Sequence, residues 1–292
     1  MTAPGVFYPE GVRTPEQRLR YYASRYPLVE VDSTYYAIPA RAVSEHWVQR
    51  TPDDFLFDIK AYALLTGHPT EIVRMSKALK EALPATLRNA GRVYPKDLPS
   101  EFMDLVWTTF TDAIQPLVQA GKLGAVFLQY PKWFLPNRES AAQIEHARDR
   151  LGSIPVAVEF RHKLWLSEKH RERVFDLLRA AAMSYVIVDA PPGMASSVPP
   201  VTAVTNDQLA VFRFHGRRTD TWEKPTNPVS ERYRYLYDRP ELAEWIPRII
   251  EVAESATHTH VVMNNCYGNY GTTNADELTS MLMARDSASL PS

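Results

Sequence analysis

Residues Val156–Trp165 read Val-Ala-Val-Glu-Phe-Arg-His-Lys-Leu-Trp, and this stretch decides the fold that we predict. Its first half is a short, apolar and β-branched run, which indicates a β-strand. Glu159 and Arg161 then share one face of the strand, and His162 and Trp165 follow directly. Charge therefore arrives where the strand ends, which is where parallel α/β sheets and barrels keep their chemistry.

The same pattern recurs along the chain and predicts seven strands. They are Leu28–Ser33, Phe55–Lys60, Gly124–Gln129, Pro155–Arg161, Ser184–Asp189, Leu209–His215 and Thr259–Asn264. Strands that alternate with helices predict a parallel sheet with right-handed crossovers. The predicted class is therefore α/β, a TIM-type barrel of parallel strands. A closed barrel of this type needs eight strands, so either Val198–Val204 contributes irregularly or the chain begins after the usual first strand.

Helix signals fall between these strands. Thr14 and Gln17 form the pattern of a capping box, with Pro15 at the first helical position, and Asn274 with Glu277 predicts another. The predicted helices begin at Pro15 and then cover Arg41–Arg50, Glu101–Ala120, Asn137–Leu151, Ser167–Ala182, Pro240–Ser255 and Asn274–Met283.

The length of 292 residues, 45% of them apolar, suits a single barrel domain. We predict one domain over residues 1–285 and a disordered polar tail over residues 286–292. Residues 69–121 are longer than an ordinary connection between a strand and a helix, so we predict an insertion there, without a strand pattern of its own.

Composition excludes several classes of protein. The formal net charge of −1 gives no global field that would hold nucleic acid or an anionic membrane. The single cysteine, Cys266, excludes an internal disulfide framework. The sequence contains neither a long apolar run nor a signal-peptide pattern, so we expect a cytoplasmic protein that does not enter a membrane.

Polar residues collect at the carboxyl ends of all seven strands. They are Glu30, Asp32, Asp58, Lys60, Gln129, Glu159, Arg161, Asp189, Arg213, His215 and Asn264. One interpretation is a charge-balanced lattice that only fills the barrel. Aliphatic side chains fill a barrel at lower cost, because buried ions must be paired, so we favour a functional rim.

Two kinds of chemistry suit this set. We predict four catalytic candidates, namely Glu30, Glu159, His215 and Asp189, because neighbouring carboxyls can act as acid and base when their pKa values differ. We predict that the substrate is held by Lys60, Arg161, His162, Arg213, Gln129, Asn264, Tyr35, Trp165 and His68. The cations in this group favour phosphate or carboxylate, and the aromatic rings offer flat surfaces for a sugar or base, although loop aromatics also serve in packing.

No cofactor is predicted. Glu30, Glu159, Asp189 and His215 are chemically able to hold a divalent metal, but no paired-histidine spacing supports a metal site, so none is predicted. Glycine-rich dinucleotide and nucleotide loops and the Gly-x-Ser-x-Gly elbow are also missing from the sequence. These absences argue against a dinucleotide enzyme, a nucleoside triphosphatase and a serine hydrolase.

Several motifs in fixed order resemble the YecE-like family, domain of unknown function 72, from about Gly5 to Met283. The matching segments are Val29–Tyr36, Trp47 before Arg50-Thr51-Pro52, Phe57 with Lys60, Gln129-Tyr130-Pro131, Val158–His162, Trp165, Arg213–Gly216 and Asn264-Asn265. The resemblance implies a TIM barrel similar to the endonuclease-IV-like and xylose-isomerase-like barrels, with no established activity.

Two departures from the family pattern affect the predictions. Family members usually open with a strand like Ile-Gly-Thr-Ser-Gly-Trp ahead of the segment that begins here at Gly5. We therefore expect an opening between the Leu28 and Thr259 strands, from a truncated or misassigned start, and reduced stability or activity. Asp32 stands where the family more often has Asn, which adds a carboxylate beside Glu30.

The leading hypothesis is an enzyme, a hydrolase or isomerase, that acts on a small anionic or phosphorylated compound at the carboxyl ends of the strands. One alternative is a nucleic-acid-processing protein like the endonuclease-IV-like barrels, which the near-neutral charge does not favour. The other is an anion-binding protein without catalysis. The sequence does not indicate an oligomeric state.

Overall fold

The computed structural model describes residues 5–224 and 229–289, with side chains for residues 5–224 and 231–285. The chain divides into two compact units. The continuous unit is Thr14–Arg161, and the split unit combines Met1–Arg13 with His162–Ser292. The prediction of one domain over residues 1–285 stays a prediction.

The continuous unit is built on parallel strands. Its strands are β1 (Leu28–Val31), β2 (Leu56–Lys60), β3 (Thr70–Glu71), β4 (Arg92–Val93), β5 (Leu123–Gln129) and β6 (Val156–Glu159). The main sheet has the order β1-β2-β5-β6 with every pair parallel. Residues Ala125 to Leu128 of β5 are all buried, as expected for a parallel strand covered on both faces.

Four helices of this unit lie where the sequence predicts them, and the two shortest, over residues 33–36 and 77–82, were not predicted. They are α1 (Pro15–Ala23), α2 (Ser33–Tyr36), α3 (Arg41–Gln49), α4 (Lys77–Ala82), α5 (Ser100–Gln119) and α6 (Arg138–Leu151). Both hydrogen bonds of the capping box between Thr14 and Gln17 are present. Trp47 on α3 stacks on Phe57 of β2 with ring centroids 5.8 Å apart, which packs this helix against the sheet.

The insertion contains one feature that was wrongly predicted to be missing. β3 and β4 form a short antiparallel pair in which Thr70 aligns with Val93. Strands of two residues are too short to produce an alternating pattern, so sequence periodicity does not reveal them. Tyr35 and Tyr36, which we predicted in a loop, lie in the single-turn helix α2.

The split unit contains three parallel strands in the order β7-β8-β9. They are β7 (Ser184–Asp189), β8 (Leu209–Phe214) and β9 (His258–Met263). Register is continuous, with Asp189 beside Phe214 and Arg213 beside Val262. Residues 198–204 form no strand. Seven parallel strands therefore lie in the described chain, four in one unit and three in the other.

The helices of the split unit differ more from the predictions. They are α7 (Arg171–Ala180), α8 (Thr219–Trp222), α9 (Arg239–Ala243), α10 (Ile246–Ala253) and α11 (Tyr270–Ser289). The single helix predicted over Pro240–Ser255 is two helices, and Pro247 lies in the first turn of α10. Proline removes a backbone donor, so it suits a helix start better than a helix interior.

The capping box predicted at Asn274 and Glu277 is wrong. α11 begins at Tyr270, so Asn274 lies inside the helix, where it is fully buried. Its Oδ1 accepts hydrogen bonds from Tyr237 N at 3.1 Å and Asn265 Nδ2 at 2.7 Å, and its Nδ2 donates to Tyr237 O at 2.9 Å. Asn274 is therefore a tertiary connector, because its amide satisfies both polar groups of a distant backbone unit.

The helix α11 also corrects the predicted start of the tail. It continues to Ser289, so residues 286–289 are helical, whereas residues 290–292 lie outside the described part of the chain.

The opening expected between the Leu28 and Thr259 strands stays a prediction. No helix among the described residues combines the length and apolar character needed to span a membrane.

Candidate functional site

The predicted site residues divide between the two units. The continuous unit holds Glu30, Tyr35, Lys60, His68, Gln129, Glu159 and Arg161, and the split unit holds His162, Trp165, Asp189, Arg213, His215 and Asn264. Most of these residues lie at or beyond the carboxyl ends of the parallel strands of their own unit, whereas His162 and Trp165 follow β6 of the continuous unit in the sequence. Two sets of side chains therefore need separate description.

Lys60 is the centre of the group in the continuous unit, which we call the Lys60 cluster and define as Asp32, Tyr35, Lys60, His68, Gln129, Glu159 and Arg161. Its Nζ lies 2.9 Å from Asp32 Oδ1 and 4.9 Å from the ring centroid of Tyr35. The Tyr35 ring in turn meets His68 edge to face at 5.2 Å. Tyr35 thus contacts both the Lys60 ammonium and the His68 imidazole, and the ammonium lies over the electron-rich face of its ring.

Thr34 fixes the geometry at this point. Its Oγ1 lies 2.8 Å from Val31 O and 2.6 Å from Lys60 O, so the two carbonyls share its single O–H as a donor, and the hydroxyl joins the ends of β1 and β2. Thr34 is buried, which makes these contacts costly to lose. Thr34 lies within the short helix α2, so its contacts hold this helix, with Tyr35, at the end of β2.

Glu159 is a fully buried carboxylate in the same cluster. It lies opposite Gln129 in the parallel register of β5 and β6, and its Oε1 accepts a hydrogen bond from Gln129 Nε2 at 2.8 Å. Arg161 Nη1 lies 3.3 Å from the same oxygen. A buried carboxylate is tolerated when it is paired and hydrogen-bonded, and these two partners do both.

His68 is kept uncharged. Burial lowers its pKa to about 3, and the positive charges of Lys60 and Arg161 add to that shift. Its Nδ1 lies 2.9 Å from Thr66 Oγ1, and its ring also meets Trp133 at 5.7 Å. The imidazole is therefore neutral near pH 7 and lies within the electrostatic reach of two cations.

Glu30 lies opposite Asp58 in the parallel register of β1 and β2. Asp58 is fully buried, while Glu30 is half-buried. The sequence predicted both at strand ends, and the register puts these two acids side by side.

In the split unit, Arg213 and His215 are almost completely buried within the packed interior around β8. His215 Nδ1 lies 2.8 Å from Asn264 Nδ2, and the His215 ring lies 5.9 Å from Trp222. Arg213 and His215 are thus enclosed, and Asn264, directly after the neighbouring strand β9, is a hydrogen-bonding partner of His215.

Asp189 belongs to a second set, the Arg217 network, which consists of Asp189, Arg217, Glu241, Glu244 and Trp245. Arg217 Nε lies 3.1 and 3.0 Å from the two carboxylate oxygens of Asp189, and Trp245 Nε1 donates to Asp189 Oδ2 at 3.1 Å. Arg217 Nη2 lies 2.9 Å from Glu244 Oε2. One guanidinium therefore bridges a strand end and the region of α9 and α10.

The electrostatics of this network follow from burial and pairing. Burial raises the pKa of the Asp189 carboxyl, and the charge and hydrogen bonds of Arg217 oppose that rise. Burial disfavours the charged form of Arg217, but the carboxylates of Glu244 and Asp189 raise its pKa above the ordinary value. The guanidinium is therefore permanently charged.

Sequence reasoning missed most of this network. Arg217 lies two residues after His215, so the strand-end rule that found His215 would have reached it if extended into the loop. Glu241, Glu244 and Trp245 carry no such signal, because they lie on or beside a helix. Only tertiary folding brings the two glutamates to Arg217 and the tryptophan to Asp189.

The remaining predicted residues have local roles in the structure. His162 Nδ1 accepts a hydrogen bond from Leu164 N at 3.3 Å, which caps a short 3₁₀ turn. Trp165 is buried, with 2% of its surface exposed, so it packs in the interior instead of offering an open stacking surface. Among the residues with described side chains, no group of three or more His, Cys, Asp or Glu is arranged to hold a metal ion.

Comparison with known proteins identifies relatives along nearly the whole chain. The model of the family described as "Protein of unknown function DUF72" matches residues 2–292. The UPF0759 protein YunF of Bacillus subtilis (strain 168) is 30% identical over 270 residues, which is 91% of this chain and 87% of that protein. The UPF0759 protein YecE of Escherichia coli (strain K12) is 29% identical over 187 residues, or 63% of this chain and 57% of that protein.

Two crystal structures are similar to this chain. A DUF72 family protein of Enterococcus faecalis V583 has a TM-score of 0.74 and 28% identity, covering 90% of this chain and 92% of that one. A DUF72 family protein of Thermotoga maritima MSB8 has a TM-score of 0.74 and 29% identity, covering 96% of this chain and 94% of that one. These similarities confirm the predicted class, an α/β fold of the TIM-barrel type.

Proposed function

The chain belongs to the DUF72 family of proteins of unknown function, and we propose that it is an enzyme that binds a small anionic or phosphorylated molecule at the Lys60 cluster. One observation carries the proposal. Lys60 Nζ at the end of β2 lies 4.9 Å from the Tyr35 ring, and that ring meets the imidazole of His68 at 5.2 Å, so a cation and a neutral imidazole lie against one aromatic ring beyond the carboxyl ends of parallel strands. Such ends are where α/β folds hold their ligands.

The existing pairings leave room for a guest anion. Asp32, the carboxylate on Lys60, has 51% of its side chain exposed, so solvent already weakens this ion pair. A phosphate or carboxylate of the substrate competes with Asp32 for the Lys60 ammonium. In the tautomer that carries its hydrogen on Nε2, His68 Nδ1 accepts from Thr66 Oγ1, and the Nε2–H of the neutral ring is then the donor to the guest anion.

Glu159 is the acid–base candidate within this proposal. Its side chain is fully buried and is oriented by Gln129 and Arg161, so its carboxylate has a fixed direction. A fixed carboxyl beside a bound anion is the arrangement that moves a proton to or from a substrate carbon or leaving oxygen. The reaction class that fits is hydrolysis or isomerisation. We assign the protein to the cytoplasm as part of the same proposal.

The binding step is tested with inorganic phosphate by isothermal titration calorimetry on the full chain. We expect saturable binding that weakens about tenfold in Lys60→Met, because a charge-assisted hydrogen bond to phosphate contributes roughly 1.5 kcal/mol. Lys77→Met is the matched control, since Lys77 lies on the exposed face of α4 with 91% of its side chain in solvent. Equal weakening in both variants, or no phosphate binding to the parent protein, contradicts the proposal.

The catalytic step is tested with Glu159→Gln and a panel of sugar phosphates and other phosphate monoesters. An enzyme that uses Glu159 as acid or base loses turnover by at least about a hundredfold and still binds phosphate. Parent protein that binds phosphate but turns over no member of the panel supports binding without catalysis. Salt-dependent binding of DNA or RNA instead supports the nucleic-acid-processing alternative.

A further inference from the structure

The split unit contains a cavity of about 620 Å³ that none of the proposed chemistry uses. Much of its wall is apolar and comes from the loops that follow β7 and precede α7, with Leu164, Leu166, Met194, Val198 and Pro199 among its lining residues. The volume lies within the range of roughly 300–1,000 Å³ typical of small-molecule sites. The apolar wall indicates that the body of a ligand would be hydrocarbon or aromatic.

The polar end of the cavity is formed by Asp189, Arg217 and Glu244. The fork of Arg217 is already occupied: Nε faces both oxygens of Asp189 at 3.1 and 3.0 Å, and Nη2 faces Glu244 at 2.9 Å. Its Nη1 lies 3.7 Å from Glu241 Oε1. An anionic ligand would have to displace a carboxylate from this guanidinium, so Arg217 does not favour an anion here.

The charge balance instead favours a cation. Three carboxylates surround Arg217, and two of them, Asp189 and Glu244, line the cavity. Among the described lining residues the only other cation is Lys163, which is exposed. The side chain of Glu244 is 58% exposed, and its contact with Arg217 uses Oε2. A carboxylate has several acceptor positions, so Glu244 retains acceptor capacity for an ammonium group of a ligand.

Ser197 adds a second polar feature to the cavity wall. Its exposed fraction is 6%, and its Oγ has no hydrogen-bond partner among the residues with described side chains. An unpaired buried hydroxyl is costly. A ligand with a hydroxyl or amine near this wall would offer it a partner.

We propose that this cavity binds an amphiphilic organic cation, a molecule with an apolar body seated against Leu166, Met194 and Val198 and a protonated amine directed at Glu244. The site is separate in composition from the Lys60 cluster and does not depend on the function proposed there. The inference is about the class of ligand, and it follows from the combination of an apolar wall with a guanidinium that three carboxylates already neutralise.

The proposal is tested on the full chain by calorimetry with three probes of equal chain length: n-octylammonium, octan-1-ol and octanoate. We expect saturable binding of n-octylammonium, at least about threefold weaker binding of the alcohol, and weaker binding still of octanoate. Octanoate or the alcohol binding as tightly as the ammonium overturns the proposal. So does the absence of saturable n-octylammonium binding.

Two variants locate the binding in this cavity. Glu244→Gln is expected to weaken n-octylammonium about three- to fivefold, the scale of an exposed ion pair, while the exposed Glu254→Gln serves as the control and leaves it unchanged. Met194→Trp, which adds volume to the wall, is expected to reduce binding at least about tenfold. Circular dichroism checks that each variant is folded. Unchanged binding in both Glu244→Gln and Met194→Trp, with folding intact, refutes the assignment.

Discussion

The continuous unit and the split unit both place a cation among carboxylates at strand ends, but the pairings differ in completeness. In the continuous unit, the Asp32 partner of Lys60 is half exposed, and the effect of Lys60 and Arg161 still reaches His68. In the split unit, three carboxylates enclose Arg217, of which Asp189 is 5% exposed. One unit leaves positive potential uncovered, and the other covers it.

The two units also differ in which structural elements supply the partners of their charged side chains. Both units follow the same rule, in which polar residues come directly after an apolar strand. In the Lys60 cluster, the contacts of Lys60 and Glu159 come from the strand ends and the segments directly after them, through Asp32, Gln129 and Arg161. In the Arg217 network, Glu241 and Glu244 arrive from the region of α9 and α10. The region of α9 and α10 therefore supplies two of the three carboxylates around Arg217, whereas the partners of Lys60 and Glu159 come from strand ends and the segments after them.

The largest expected effect tests whether the covered pairing in the split unit is structural. Arg217→Met leaves the buried carboxylate of Asp189 without its cation, so we expect the free energy of unfolding to fall by about 2–3 kcal/mol. The neighbouring Arg218→Met is the matched control. Arg218 pairs with Asp220, whose side chain is 60% exposed, so its loss is expected to leave the free energy of unfolding nearly unchanged.

Urea unfolding followed by tryptophan fluorescence measures both variants. Equal losses of unfolding free energy in Arg217→Met and Arg218→Met would contradict this difference between the pairings, because the burial of Asp189 would then have no energetic consequence. Added n-octylammonium is a second readout for Arg218→Met, which should bind it as the parent protein does.

An intermediate effect is expected at His68 in the continuous unit. Its pKa falls to about 3 in the folded protein from the ordinary 6.5, so the unfolded chain takes up a proton first as the pH falls. The neutral His68 therefore contributes fully to the free energy of unfolding above pH 6.5, and this contribution is lost progressively as the pH falls from 6.5 to about 3. By pH 5 the loss amounts to about 2 kcal/mol.

The measurement compares unfolding free energies at pH 7 and pH 5 for the parent protein and His68→Asn. The parent is expected to lose about 2 kcal/mol more than the variant over this interval. The C2 proton of His68 in nuclear magnetic resonance spectra supplies an independent check, since it should not titrate above pH 4. A midpoint near pH 6.5 would show that neither burial nor the charges of Lys60 and Arg161 lower the pKa of this ring.

The smallest effect concerns the exposed partner in the Lys60 cluster. Asp32→Asn removes the carboxylate that competes with a guest anion for Lys60, so phosphate affinity should rise about two- to threefold. The free energy of unfolding should change by less than about 1 kcal/mol, because the side chain of Asp32 is 51% exposed. Calorimetry with phosphate measures the first value. Weaker phosphate binding in this variant would mean that Asp32 supports the site instead of competing in it.

Strand positions followed from the sequence because each strand is an apolar run with a polar end. The predicted strand Ser184–Asp189 begins and ends at the same residues as β7, and the predicted strand Leu209–His215 is one residue longer than β8. Periodicity also gave the long helix α5 to within one residue at each end. These elements are specified by burial, which a linear pattern records directly.

The site followed from the sequence only in part. The strand-end rule correctly grouped Gln129 with Glu159, since parallel register sets them side by side. It did not reveal that Arg213 and His215 are enclosed, because exposure depends on what packs over a strand end. Asn274 shows the same limit in a helix: an Asn near a helix start resembles a cap, and only the backbone of Tyr237 explains its real position.

The division of the chain has a consequence for biosynthesis. The continuous unit is made of one uninterrupted segment, so all its contacts become possible once about half of the chain has emerged from the ribosome. The split unit draws Gly5–Arg13 from one end and His162 onward from the other. The segment Gly5–Arg13 therefore finds its partners in the split unit only after residues from His162 onward have been synthesised, and until then it is open to proteases and chaperones.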